Sequence, residues 1–196
     1  MSAPVRRYTL ADGRLVEIRP ARRTPAERRR LWELLQRESP ESLYLRFFRC
    51  VRAPDERLID SLLPLPSHAS LTLVCLQDGR MVGIGSYQAV DAQTVELAAL
   101  VADAEQGRGI GSLLLSELMQ SAAANGYRRA VVHVLWDNRR SLRLLTKHQF
   151  RRQSSAADLW AGEAVLTAPL QTEARGCTRP SGRREPQRPL TGRYAG

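Results

Sequence analysis

Between Val95 and Met119 the chain reads VELAALVADAEQGRGIGSLLLSELM, and this stretch constrains the fold more than any other. Thr94 to Val101 is a run of eight almost entirely apolar residues, which suits a strand buried on both faces at the centre of a sheet. From Gly109 onward the period changes. Ile110, Leu114, Leu118 and Ala122 fall on one helical stripe with Leu115 and Met119 beside it, and Asn125-Gly126 supplies the left-handed stop. The connection is Gln106-Gly107-Arg108-Gly109-Ile110-Gly111. A strand, a glycine-rich turn and a helix start in succession bring several backbone N–H groups and the positive end of the helix to one place. That is an anion site, and glycine lets the ligand approach the main chain. Three glycines at alternate positions exceed what a tight turn alone requires. No lysine follows as in a nucleotide P-loop, and the sixth position from Gly107 is Ser112 where a dinucleotide fingerprint needs glycine.

The flanking sequence predicts an α/β domain over residues 1–171, followed by a basic tail over 172–196. Leu15 to Arg19 reads as a strand. Thr24-Pro25-Ala26-Glu27 then gives an N-cap, a first-turn proline and a capping-box glutamate for a helix to Arg37. Ser39-Pro40-Glu41 starts a second helix through Phe48, and Pro54 to Leu63 suggests a third. SLTLVCLQ, Asp78-Gly79 and MVGIGSYQAV form a hairpin pattern. Ala130 to Trp136 is a further interior strand, Asn138 to Lys147 a helix, and Phe150 to Leu170 supplies two more strands. The tail is rich in Arg, Pro and Gly and has almost no bulky apolar residues, so disorder is expected there.

The formal charge is +10, but Lys147 is the only lysine and the tail alone holds six arginines against two glutamates. Nucleic-acid binding would need basic and aromatic residues interleaved on an ordered surface, and it is not expected. A diffuse positive field also favours an anionic ligand. No run reaches the roughly 18 apolar residues of a membrane span, so a cytoplasmic protein is expected, with no membrane partner. Cys50, Cys75 and Cys177 follow no ligand or disulfide spacing, and Cys75 within LTLVCL reads as a small buried hydrophobe. His68, His133 and His148 have no cysteine or carboxylate at useful spacing, so no metal is expected.

Gln-Gly-Arg-Gly-Ile-Gly on the fourth strand of such a chain resembles motif A of the GCN5-related N-acetyltransferases (GNAT). The resemblance runs from about Val16 to Leu170: Val101 stands five residues before Gln106, Asn138 follows the next interior strand, and a short helix ends at Phe150. It implies the GNAT fold, a mixed and mostly antiparallel sheet of six to seven strands splayed between strands 4 and 5 and flanked by about four helices. It also implies acetyl-CoA as cosubstrate. Gln106, Gly107, Arg108, Gly109, Ile110, Gly111 and Ser112 would then hold the pyrophosphate, Leu100 and Val101 would pair with the pantetheine arm, and Asn138 would contact that arm. Ser39 to Phe48, SPESLYLRFF, is similar to a segment of bacterial protein lysine acetyltransferases, the branch that modifies acyl-CoA synthetases.

Transfer to lysine needs a neutral amine, whereas free lysine titrates near about 10.4, so a base is required. Glu96 is the only acid between Thr94 and Ala102, and a carboxylate in so apolar a strand needs a cavity or a partner. Its position matches the catalytic glutamate of the lysine acetyltransferases. Other positions depart from the family. Leu145 stands where relatives carry a tyrosine that protonates the leaving thiolate, Gln149 replaces the usual glycine before Phe150, and Glu105 puts a negative charge beside the loop. Tyr87 is either a cleft residue or a packed aromatic. The expected activity is acetyl-CoA-dependent N-acetylation of an amine, a protein lysine first. A small amine or antibiotic as acceptor stays open, as does an acyl-CoA sensor without turnover.

Overall fold

The computed structural model describes residues 5–65, 67–153 and 162–171. The expected tail over 172–196, and Cys177 within it, lie outside the described residues. Among the described residues, eight strands form one sheet in the order β1-β2-β3-β4-β5-β6-β8-β7, with five α-helices around it. β1 (Arg6–Thr9), β2 (Leu15–Pro20), β3 (Ser70–Gln77), β4 (Arg80–Ala89) and β5 (Thr94–Val101) make antiparallel pairs in chain order. β6 (Arg129–Leu135) is parallel to β5, while β8 (Glu163–Pro169) runs antiparallel between β6 and the short β7 (Arg151–Arg152). The sheet is mixed and mostly antiparallel, as the resemblance implies, with one strand more than the sequence reading assigned. The addition is β1, which turns into β2 through Asp12-Gly13 with Gly13 at φ 83°. The fourth and fifth strands of the sequence reading are therefore β5 and β6.

The helices are α1 (Pro25–Arg37), α2 (Pro40–Phe47), α3 (Glu56–Leu62), α4 (Ile110–Ala124) and α5 (Arg139–Lys147). α1 to α3 begin at side chains that take an orphan N–H: Thr24 from Glu27, Ser39 from Ser42 and Asp55 from Leu58. The capping box expected of Glu27 is only half made. Its carboxylate turns inward and takes both arms of Arg19 at 2.9 and 2.8 Å, with Glu27 1% and Arg19 6% exposed. A buried charge needs its partner more than a helix end needs a second cap.

Apolar side chains from the two sheet faces form two cores. Val95, Leu97, Ala130, Val132 and Val134 pack with α4 and Leu145 of α5, whereas Val74, Ile84 and Leu100 pack with the leucines of α1 and Ile59 of α3. On β4, a methyl at Gly83 would stand 3.1 Å from Leu114 Cδ1 and one at Gly85 3.0 Å from Leu118 Cδ1. The missing side chains let α4 lie close on the sheet.

β5 and β6 pair only over Thr94↔Arg129, Val95↔Ala130 and Glu96↔Val131. β5 then continues against β4 to Val101, and β6 against β8 to Leu135. The strands thus part after Glu96, leaving one edge of β5 open from Leu97. Burial of β5 follows from this. Leu97 and Leu100 are buried as the apolar run predicts, but Glu96 and Ala99 are exposed, so the strand is not covered on both faces throughout.

Candidate active site

The open wedge is closed at one end by the turn that the glycines build. After Val101 the chain makes a short 3-10 turn over Asp103–Glu105, passes through Gly107 at φ 81° and Gly109 at φ 93°, and enters α4 at Ile110. An added Cβ at Gly107 or Gly109 would meet nothing within 4 Å. These two glycines are required by backbone conformation, since the left-handed region is costly for any residue with a Cβ. The third is not under that constraint. A Cβ on Gly111 would stand 3.4 Å from Leu144 Cδ2 and 3.7 Å from Val101 Cγ2, ordinary packing distances where α4 meets α5 and the end of β5.

Among the described residues, the backbone N–H groups of Gly107, Arg108, Gly109, Ile110, Gly111 and Ser112 donate no hydrogen bond, while Leu113 N–H already returns to Gly109 O at 3.1 Å. Six consecutive free donors at the positive end of a 15-residue helix are an arrangement that suits an anion, a cradle of main-chain amides. Gln106 is not one of them. Its N–H is taken by Asp103 O, and its side-chain amide braces the turn by donating to Val101 O at 3.1 Å and Asp103 Oδ1 at 2.8 Å.

Asp103 fastens the turn to the start of α2. Its carboxylate accepts from Ser39 N–H at 2.9 Å and from the Ser42 hydroxyl, and its own N–H donates to Glu38 Oε2 at 3.0 Å. Burial alone would raise the Asp103 carboxyl, but the Ser42 and Ser39 bonds outweigh it and hold the group below the usual carboxylate range. Glu38 goes the other way. Burial first, and then the charge of Asp103, push its carboxyl up to about 7. Arg108 reaches back to the β1–β2 turn, 3.2 Å from Asp12, and with Arg14 it surrounds Glu105 at 3.5 and 3.3 Å. Glu105 is thereby paired and does not stand as an uncompensated charge beside the cradle. Glu38 and Asp103 had no periodicity or motif to mark them, and Asp12 none beyond a turn signal, because each acts across more than 60 residues of chain.

On the open edge of β5, Ala102 N–H bonds to Val82 O, so the preceding carbonyl, Val101 O, points away from β4, where Gln106 takes it. Antiparallel alternation then turns the main-chain groups of Ala99 and Val101 into the wedge and those of Leu100 toward β4, with the Leu100 side chain buried in the α1–α3 core. Glu96 lies four residues from Leu100 on the same face, the face on which α2 approaches. Burial lowers the guanidinium of Arg46 on α2, and the nearby negative charge of Glu96 partly offsets that effect. Asn138 spends its side-chain carbonyl on capping α5, accepting from Ser141 N–H at 3.0 Å, which leaves its amide NH₂ at the far end of β6.

Residues 28–150 match the model of the acetyltransferase (GNAT) family. The chain belongs to the GNAT family. Over 126 residues it is 35% identical to acetyltransferase PA5475 of Pseudomonas aeruginosa, covering 62% of this chain and 67% of that protein. The GNAT domain of S. lividans PAT superposes with a TM-score of 0.78 at 25% identity, covering 85% of this chain and 97% of that domain. yncA of Salmonella typhimurium, solved with its cofactor acetyl-CoA, gives 0.61 at 20% identity over 81% and 96% of the two chains.

Several departures of this GNAT chain have clear structural outcomes. Gln149 adopts φ 63°, the conformation expected of the usual glycine, and its N–H bonds to Thr146 O at 3.0 Å, so the turn is kept. Leu145 is 4% exposed inside the α4–α5 core and has no proton to give. Tyr87 is 1% exposed, edge-on to Tyr127 at 6.0 Å and bonded to Asn125, which makes it a packed aromatic and not a cleft residue. Cys75 is fully buried, as expected, and burial pushes its thiol up to about 12. His68 packs on Tyr127 and His133 stands 3.7 Å from Glu163. His148, which nothing in the sequence tied to the site, hydrogen-bonds Ser112. No helix among the described residues is long and apolar enough to cross a membrane.

Proposed function

We propose that this GNAT protein transfers the acetyl group of acetyl-CoA to an amine, a protein lysine side chain, with Glu96 as general base. The observation that carries this reading is the row of six unpaired N–H groups from Gly107 to Ser112 at the end of the β5–β6 wedge. Free main-chain amides at a helix start suit a diphosphate, and the wedge suits the extended arm attached to it. Within this reading Gly107 to Ser112 hold the diphosphate, the main chain of Ala99 and Val101 pairs with the arm, and the Asn138 amide lies across the gap. Leu100 contributes packing only.

Glu96 is exposed on the α2 side of β5, open to an acceptor arriving over that face. The amine gives its proton to Glu96, directly or through one water, and attacks the thioester carbonyl. The new C–N bond forms as the C–S bond breaks, and main-chain N–H groups of the open β5 edge stabilise the oxyanion. Leu145 supplies no acid, so the thiol departs as thiolate, tolerable for a group with a pKa of about 8.5. The lysine acceptor draws support from the Ser39–Phe48 segment and from the likeness to the S. lividans PAT domain. The buried Leu145 favours a second reading, an acyl-CoA sensor without turnover.

Incubation of the protein and labelled acetyl-CoA with a cell extract distinguishes these readings. Labelled protein lysines are expected, labelled small amines alone would redirect the acceptor, and binding without labelling would leave the sensor. Glu96→Gln should keep acetyl-CoA affinity while turnover falls at least about a hundredfold. Unchanged turnover would remove Glu96 from its role.

A further inference from the structure

His148 caps the end of α5, half-buried, and its Nε2 stands 2.6 Å from the hydroxyl oxygen of Ser112, the last residue of the amide cradle. Its ring makes no other side-chain hydrogen bond among the described residues, so the tautomer is set by Ser112 and by whatever lies beyond it. With the proton on Nε2, the imidazole donates to Ser112 Oγ and the hydroxyl is free to donate outward. With the proton on Nδ1, the hydroxyl is consumed by the ring and presents only lone pairs to the cradle. An anion at Gly107–Ser112 selects the first arrangement, and selects imidazolium more strongly, because each donor in the chain then strengthens the next.

We propose that His148 is a positioning residue of the diphosphate site, aiming the Ser112 hydroxyl at a phosphate oxygen and setting a proton-dependent positive charge behind it. The inference rests on the acetyl-CoA reading above and assigns a role that neither the glycine motif nor the family match supplies. The geometry has a consequence for pH. In the free protein, burial first and then the neighbouring charge of Lys147 hold the imidazole below its ordinary value. Lys147 is the charged group acting on it from α5, and Ser112 from α4 is neutral. A bound diphosphate favours the protonated ring. Affinity is therefore greatest below the free-state value and is lost as pH rises through the higher bound-state value.

The test is calorimetric titration with dephospho-coenzyme A, whose diphosphate keeps a constant charge over the range in which a 3′-phosphate itself titrates, near about 6. Wild-type protein should bind about three- to tenfold more tightly at about pH 5.5 than at about pH 8, the equivalent of up to one unit of pKa shift. His148→Gln places an uncharged N–H near the Nε2 position. It should match wild type near pH 8 and show a flat profile. His148→Met should bind more weakly throughout, also without pH dependence, with melting curves confirming that both variants fold. A flat wild-type profile, or a His148→Met variant that keeps the wild-type slope, overturns the proposal. No binding at any pH would instead overturn the diphosphate reading, and this inference with it.

Discussion

The two kinds of glycine in the cradle can be separated by alanine. At Gly109, with φ 93° and ψ −6°, an alanine Cβ has open space, so the whole penalty is conformational. Holding an L-residue in the left-handed region costs about 1–2 kcal/mol. For a domain of this size that lowers Tm by roughly 2–8 °C. The added methyl also projects from the row of donors, so a single charge-assisted hydrogen bond lost there weakens acetyl-CoA binding by about ten- to hundredfold. Gly111 lies inside α4, where its Cβ would make ordinary contacts at 3.4 and 3.7 Å and where alanine is favoured over glycine by up to about 1 kcal/mol. Gly111→Ala should melt at or above the wild-type temperature. Differential scanning calorimetry of the three proteins, with and without acetyl-CoA, reads both effects. A Gly109→Ala protein as stable as wild type would refute the left-handed turn, and one that binds acetyl-CoA as well as wild type would refute the cradle.

Arg19→Met should be the most destabilising of the following changes, by about 3–5 kcal/mol, because it removes the bidentate partner of the buried Glu27 and leaves only Arg30 at 3.8 Å and the Arg22 N–H at 3.4 Å; adding Glu27→Leu should recover most of that loss in chemical denaturation. Glu38 carries a carboxyl raised to about 7 in the fold, so its contribution to stability is full in acid and is lost as pH rises through that value. Melting curves of Glu38→Gln between about pH 5 and 8 should therefore fall less with rising pH than those of wild type, and an equal slope would count against the buried Glu38–Asp103 contact. Gln149→Gly should raise stability by about 0.5–1 kcal/mol by relieving φ 63°, and a decrease would mean that the side chain makes a stabilising contact.

The elements that the sequence disclosed share one property: their signals lie within a few residues of chain. Thr24-Pro25 and Ser39-Pro40 opened α1 and α2 where expected, the Asp78-Gly79 turn joined β3 to β4, and the stripe from Ile110 to Ala122 became α4. β1 was missed although Asp12-Gly13 is the same kind of hairpin signal, because RRYT has too few apolar residues to read as a strand. The glycine loop was legible as a glycine-built turn into a helix for the same local reason. Which of its groups point outward was not, since that depends on the Ala102–Val82 bond and on Gln106 folding back on Val101.

The brace behind the loop couples two halves of the site that the sequence kept apart. Asp103 holds Ser39 and Ser42 at the start of α2, and Arg46, one turn further along that helix, feels the charge of Glu96. A displacement of the cradle therefore pulls on the helix facing the proposed base. Asp103→Asn keeps the shape of the side chain but removes the charge that the Ser39 N–H and Ser42 hydroxyl stabilise. If the coupling is physical, this variant should lower kcat as well as acetyl-CoA affinity, although Asp103 touches neither Glu96 nor the wedge. A loss confined to acetyl-CoA affinity would show that the brace serves the loop alone and that α2 keeps its place through Leu43 and the apolar core.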